Sequence, residues 1–330
     1  MKVCIAGLGA IGGLLAARLS GAGHEVSALA RGATLAAVRE RGLVLTDIKR
    51  ARSVHRITVA DDPYQLPTPD LLVIALKAHA LASGALALAP LIGPNTVILP
   101  AMNGVPWWFL QSQGVLGAPL TSVDPHGYVA ETLPLEQTLG VVVHLTCQTT
   151  APGEVRHGLG ERIIIGEPLG DMSPRVDAVV EILNGAGFQG ERSTDVRRAI
   201  WFKLWGNMTM NPVSALTGAT CDAILDDELV RAFMAAAMSE ASAIGARIGC
   251  PIEQTPAARM EVTRQLGAFK TSMLQDSEAG RTLELDALVS AVHEIATRVG
   301  VATPAIGALL GLTRLMARTR GLYPRQAAIE

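Results

Sequence analysis

The chain begins Lys2-Val3-Cys4-Ile5-Ala6-Gly7-Leu8-Gly9-Ala10-Ile11-Gly12-Gly13-Leu14-Leu15-Ala16-Ala17-Arg18-Leu19-Ser20. Lys2 to Ala6 is a short apolar run of the kind that forms a buried strand, Ala10 to Ser20 carries a helical pattern, and Glu25 to Ala30 returns to strand. Between the first strand and the first helix, Gly7, Gly9 and Gly12 spell G-x-G-x-x-G, the dinucleotide-binding fingerprint in its required context. Gly7 permits the tight turn, Gly9 lets the backbone approach a pyrophosphate, and Gly12 lets helix pack on strand. The helix N-terminus offers N–H groups to the phosphates. With Leu8, Ala10 and Ile11 between the glycines, the whole Gly7 to Gly12 turn is the expected cofactor contact. An ordinary glycine-rich turn is the competing reading, which the flanking strands disfavour.

Working outward, the second strand chooses between the nicotinamide cofactors. NAD sites usually place Asp or Glu near its end to hold the ribose 2′-hydroxyl. No acidic residue occurs between Val26 and Val38, and Arg31 stands in that place, suited to a 2′-phosphate. NADP(H) is therefore the expected cofactor, with a solvated loop arginine as the alternative. Further buried strands are expected at Leu71 to Leu76 and Thr96 to Pro100, each followed by a helix-like segment, which makes a parallel sheet. Ligands sit at the carboxyl ends of such strands, so Lys77 and Asn103, each just past one of them, join the cofactor candidates, and Asn103 is a substrate candidate as well.

Leu43 to Thr46, Ser53 to Val59, Val141 to Thr146 and Arg162 to Ile165 also read as strands, and Pro174 to Gly185 as a helix; they are expected to complete the same sheet. After Ser193 strand signals stop and long helical patterns follow. The fold class is α/β: a doubly wound, mostly parallel Rossmann domain over residues 1–193, then an all-helical domain over 194–330. In Thr282 to Gly300, Leu285, Leu288, Val289, Val292, Ile295, Ala296 and Val299 recur at helical spacing as a buried stripe.

The length of 330 residues favours two domains. Hydrophobic residues at 49% against 18% charged argue against extensive disorder. A net charge of −2 gives no basic field to attract nucleic acid or an anionic membrane, so small molecules are the expected partners. Cys4, Cys147, Cys221 and Cys250 lie far apart and read as reduced thiols. Met1 to Ala17 superficially imitates a leader, but its spaced glycines identify it as the nucleotide turn; Arg18, His24 and Arg31 break the apolar window there before it reaches the length of a membrane span. A cytoplasmic location is expected. The scattered histidines form no ligand motif, so no metal is expected.

In Ala199 to Pro212, Lys203, Asn207 and Asn211 recur at i, i+4, i+8 along one helix face. Their neighbours Trp201, Phe202, Leu204, Trp205, Met208 and Met210 are apolar, so much of this helix should be enclosed. Burial would lower the lysine pKa toward the range of a general acid for carbonyl reduction. A snorkelling lysine on a solvated face is the other reading. Pro212 should end or kink the helix.

These features resemble the ketopantoate reductase family. The resemblance runs through Gly7 to Gly12, Arg31, Leu76-Lys77-Ala78, Asn103-Gly104, Lys203-Leu204, Asn207 and Asn211-Pro212, and on to Ser272-Met273-Leu274-Gln275-Asp276 and Glu284-Leu285-Asp286. It implies an NADPH-dependent reduction of ketopantoate to pantoate in a site between the two domains, with Lys203 as general acid. It implies that Asn207 and Asn211 bind substrate, that Ser272 binds the substrate carboxylate, and that Glu284 contacts substrate and cooperates with the lysine. Ser272 and Glu284 rest on the resemblance alone; without it Glu284 reads as a first-turn carboxylate favoured by a helix dipole.

The sequence departs from the family at Met102-Asn103-Gly104-Val105-Pro106-Trp107-Trp108-Phe109, where Trp107 and Trp108 either reshape the pocket or pack a helix onto the sheet. Asp124-Pro125-His126-Gly127 also lacks a family match, and His126 is a lone loop histidine. Another 2-oxo or 3-oxo acid is the alternative substrate. A non-catalytic NADPH-binding regulator is a further alternative, disfavoured because it needs no lysine and asparagine stripe. The Ala- and Leu-rich helical half has faces suited to a homodimer.

Overall fold

Val3, Cys4, Ile5 and Ala6 are almost completely buried, and this strand, β1 (Lys2–Ala6), is the centre of the first sheet. The chain continues through α1 (Ala10–Gly21), β2 (Glu25–Leu29), α2 (Gly32–Arg41), β3 (Leu43–Thr46), β4 (Arg52–His55), β5 (Thr58–Ala60), β6 (Leu71–Ile74), α3 (Ala78–Gly84) and β7 (Val97–Pro100). Next come α4 (Tyr128–Thr132), β8 (Gly140–His144), β9 (Cys147–Ala151), β10 (Glu154–His157), β11 (Arg162–Gly166), α5 (Pro174–Gly185) and β12 (Gln189–Ser193). The remaining elements are α6 (Val196–Thr217), α7 (Cys221–Asp226), α8 (Glu228–Arg247), α9 (Pro256–Arg264), α10 (Ser272–Glu278), α11 (Ala291–Val299) and α12 (Pro304–Thr319). The computed structural model describes residues 1–111 and 119–324.

Two units divide the chain: Met1–Pro119 with Asp124–Ala199, and Leu120–Val123 with Ile200–Glu330. The division falls inside α6. In the first unit the five-stranded sheet has the order β5-β2-β1-β6-β7, with every neighbouring pair parallel. Strand order reverses at β1, the topological switch point where sheets of this kind take ligands.

The other strands do not complete this sheet, contrary to expectation. Four of them form a second sheet, β4-β3-β10-β9, and three a third, β12-β11-β8. The reason lies in α1. Its Leu14, Leu15, Ala16, Ala17 and Leu19 are all buried, so this helix is apolar around most of its circumference and needs cover on two sides. The first sheet covers one side, and β3, β9 and β10 cover another. The segment Ser53 to Val59 is correspondingly split, its first part serving the second sheet as β4 and its last part the first sheet within β5. Among the described residues the third sheet meets the first at the bridge between Ile98 and Thr138, beyond which β8 pairs antiparallel with β11.

In the second unit α6 is anchored to α8 by two buried tryptophans. Trp201 Nε1 donates to the Ala241 carbonyl at 3.3 Å and Trp205 Nε1 to that of Met238 at 2.7 Å. Pro212 does not stop α6, which runs on to Thr217. Met208 and Val213 are buried on either side of the proline, and this packing outweighs the one backbone hydrogen bond that proline removes. Among the described residues α8 alone has the length and mean hydropathy of a membrane-crossing helix. Its Met234, Ala237, Met238, Ala241 and Ile244 are buried, and it packs on α11 and α12.

The segment Leu120–Val123 belongs to this unit through Glu294 of α11. The Glu294 carboxylate accepts from the Thr121 N–H at 3.0 Å, the Ser122 N–H at 2.9 Å and the Ser122 hydroxyl at 2.6 Å. Burial pushes this carboxyl upward, but these hydrogen bonds and that from Arg298 outweigh it and hold the group below its ordinary value.

The expected helix Thr282 to Gly300 starts later. Helical structure begins at Leu285, and Asp286–Ser290 is a π-helical turn before α11. Glu284 therefore precedes the helix and is not a first-turn residue. The apolar stripe is buried except at Val299, which is half-buried.

Candidate functional site

In the first unit the sequence candidates share one edge of the parallel sheet. Gly7 follows β1, Arg31 follows β2, Lys77 follows β6 and Asn103 follows β7. Because all these strands run the same way, their following loops lie at the same, carboxyl edge. Gly7 has φ +100°, and its N–H donates to Leu29 of β2 at 3.0 Å. A Cβ at Gly12 would lie 1.9 Å from the Gly7 carbonyl oxygen, so only glycine allows α1 to approach the turn this closely. A Cβ at Gly9 would meet nothing within 4 Å. This open approach to the first turn of α1, whose N–H groups have no intrahelical acceptor, fits a dinucleotide pyrophosphate.

The individual residues differ in what they can offer. Leu8 is buried in the core, so its contribution is confined to its backbone, whereas Ala10 and Ile11 are half-buried. Arg31 is exposed at the N-cap of α2, and its guanidinium makes no hydrogen bond or ion pair with another described residue. Lys77 and Asn103 are half-buried, Lys77 at the N-cap of α3 and Asn103 next to Gly104, whose φ is +89°.

Trp107 and Trp108 are 3% and 0% exposed, which identifies them as packing residues. Trp108 lies against Gly140 of β8, where a Cβ would come within 3.2 Å of the ring. Asp124 also has a structural role: its carboxylate accepts from the N–H groups of Val129 and Ala130 at 3.1 and 3.0 Å and so caps α4. His126 is exposed and stands 5.6 Å from the Tyr128 ring, centroid to centroid.

In the second unit Lys203, Asn207 and Asn211 lie on α6, half-buried, half-buried and buried respectively. Burial draws the Lys203 ammonium down from its usual value to about 8, against the opposing pull of the Glu284 carboxylate. The structure thus brings Glu284 and Lys203 into electrostatic contact although 81 positions separate them in the numbering, 203 to 284. Neither asparagine amide hydrogen-bonds another described residue, which leaves their donors and acceptors for a ligand. Ser272 is exposed at the start of α10, behind the N-cap Thr271, whose side chain accepts from Leu274 N–H. No described residue hydrogen-bonds the Ser272 side chain.

A fingerprint turn at the switch point of a parallel sheet, together with an enclosed lysine under the field of a glutamate, defines a dinucleotide-dependent oxidoreductase acting on a CH–OH/C=O pair. Comparison with known proteins specifies the family. Residues 3–170 match the model of Ketopantoate reductase PanE/ApbA, and residues 195–317 match that of its C-terminal part. A 2-dehydropantoate 2-reductase of Mesorhizobium japonicum is 42% identical over 98% of this chain and all of its own length. A crystal structure from Ralstonia solanacearum MolK2, assigned as a ketopantoate reductase, is 56% identical with a TM-score of 0.94, covering 98% of this chain and 99% of its own. That of the 2-dehydropantoate 2-reductase from Methylococcus capsulatus is 26% identical with a TM-score of 0.82, covering 97% and 98%. The chain belongs to the ketopantoate reductase family.

Proposed function

We propose that this protein reduces 2-dehydropantoate to pantoate with NADPH, a step of pantothenate biosynthesis, with Lys203 as the general acid. The observation that carries the reading is the lysine held at about 8 on a helix that also presents two uncommitted amides. At that value an ammonium is present at neutral pH and yet gives up its proton readily, which suits protonation of a ketone oxygen.

Residues 1–193 are the cofactor domain in this reading, and residues 194–330 carry the catalytic groups. The Gly7 to Gly12 turn holds the pyrophosphate, Arg31 pairs with the 2′-phosphate, and Lys77 and Asn103 contact the cofactor from the neighbouring loops. Bound NADPH supplies the hydride. Lys203 stabilises the negative charge developing on the ketone oxygen and then donates its proton there, which completes the alcohol. Glu284 keeps Lys203 protonated and contacts substrate. Asn103, Asn207, Asn211 and Ser272 orient the 2-oxo acid so that the reacting carbon is presented in one geometry. We further propose a cytoplasmic homodimer, a state that light scattering on the purified protein measures.

The test is NADPH oxidation with 2-dehydropantoate beside a panel of other 2-oxo acids, each repeated with NADH. Preference for 2-dehydropantoate with NADPH is the expected outcome. Preference for another acid would overturn the substrate and leave the chemistry; reaction with none of them would overturn the proposed reductase activity.

A further inference from the structure

We propose that Arg259 is a further substrate-binding residue, one that adds a charged contact to the carboxylate of the 2-oxo acid beside that of the Ser272 hydroxyl. The inference rests on the reductase reading above and adds to it a residue outside the stripe and the motifs. It starts from a glycine that helix propensity does not explain. Gly206 lies in the interior of the 22-residue helix α6, between Lys203 and Asn207, where glycine costs about 1 kcal/mol relative to alanine.

Arg259 of α9 accounts for it. A Cβ at Gly206 would lie 3.1 Å from Arg259 Nε and 3.3 Å from Nη2. The missing side chain therefore lets the guanidinium lie directly on the backbone of α6, next in sequence to Asn207 and three residues from Lys203. The Phe202 ring borders it on the same face, with Arg259 Cζ 5.1 Å from the ring centroid. Positions 202 and 206 are four apart and adjoin the line of 203 and 207 on the helix surface.

Arg259 is half-buried and yet has no anion beside it, unlike its neighbours in this unit. Arg264, on the same helix, pairs with Asp226, Arg281 with Asp276, and Arg298 with Glu294. Arg259 makes no ion pair or side-chain hydrogen bond with any described residue, and its Nε is buried without an acceptor. An Nε–H buried without an acceptor is costly to keep, and the Nη groups remain to be offered to a ligand. A planar carboxylate matches that fork in two parallel hydrogen bonds. The substrate class of the proposed reaction carries one such carboxylate beside the carbonyl that Lys203 serves.

The experiment compares wild type, Arg259→Gln and Arg259→Lys in steady-state reduction of 2-dehydropantoate and of its methyl ester at saturating NADPH, with Tm and NADPH affinity measured for each. Arg259→Gln should raise KM for the acid about tenfold or more, the size of a lost charge-assisted hydrogen bond, with the loss carried mainly by KM. It should also erase the advantage of the acid over the ester, and Arg259→Lys should recover part of it. Gly206→Ala, which pushes the guanidinium off the helix, should shift KM in the same direction.

An unchanged KM for the acid in Arg259→Gln would overturn the proposal. So would a fall in kcat and Tm with the acid-to-ester preference retained, since that is the signature of a brace between α9 and α6. If the wild type reduces no 2-oxo acid, the reductase reading falls and takes this inference with it. If wild type reduces the acid and Arg259→Gln does so with the same KM, this inference falls alone.

Discussion

Glu284 raises the proton affinity of Lys203 while burial lowers it, and the balance leaves the ammonium at about 8. As the proposed general acid Lys203 must be protonated, so turnover should decline as pH rises through about 8. Glu284→Gln removes the opposing charge, and the declining limb should move to lower pH. A pH profile of kcat for the two proteins checks this. A limb that stays in place, or moves upward, contradicts the assignment.

Lys203→Met should cut kcat by about a hundredfold or more while leaving NADPH affinity nearly unchanged. It should also stabilise the protein at neutral pH. The folded state holds the lysine proton less tightly than the unfolded chain, whose value is near 10.5, so the unfolded state binds more protons between about 8 and 10.5. Wild-type stability is therefore diminished below pH 8 by this residue and recovers as pH rises across that window. The size is at most about 3 kcal/mol. Thermal melts at pH 7 should show a higher Tm for Lys203→Met; a lower Tm would mean that the ammonium is better compensated than its burial indicates.

The glycines of the turn should separate folding from binding. A Cβ at Gly12 collides with the Gly7 carbonyl at 1.9 Å, whereas one at Gly9 meets no protein atom within 4 Å. Gly12→Ala should lower the stability of the first unit by several kcal/mol, on the order of the larger single-substitution effects. Gly9→Ala should melt within a few degrees of wild type and yet bind NADPH weakly, because its methyl group intrudes where the pyrophosphate approaches. Calorimetric melts and cofactor titrations of both variants distinguish the two roles. Equal cofactor affinity in Gly9→Ala and wild type would remove the pyrophosphate from this position.

Arg31 is exposed and has no protein partner among the described residues. Arg31→Ala should therefore leave Tm unchanged and reduce the preference for NADPH over NADH about tenfold or more, the size of a lost charge-assisted pair. Steady-state kinetics with both cofactors measure it. A retained preference would assign the 2′-phosphate to another group.

The first sheet was legible because its signals are local. The apolar run Lys2–Ala6, the glycine turn and the helix after it follow one another within twenty residues, and each has a backbone cause. The stripe Lys203, Asn207, Asn211 was legible for the same reason, since a single helix sets its spacing. Tertiary packing decided what these patterns could not express. The cover that α1 needs on two sides drew four strands into a second sheet, and the enclosure around Met208 and Val213 carried α6 through Pro212.

By itself, then, the sequence determined the glycine turn, the parallel sheet that holds it, the helical second half and the lysine and asparagine stripe on α6. Only the tertiary structure decided that Trp107 and Trp108 are core and that Arg259 lies over Gly206. Each of these is a relation between residues distant along the chain, or a matter of what surrounds a side chain. Helical and strand periodicities record which face a residue occupies, but they carry no information about which other element meets that face.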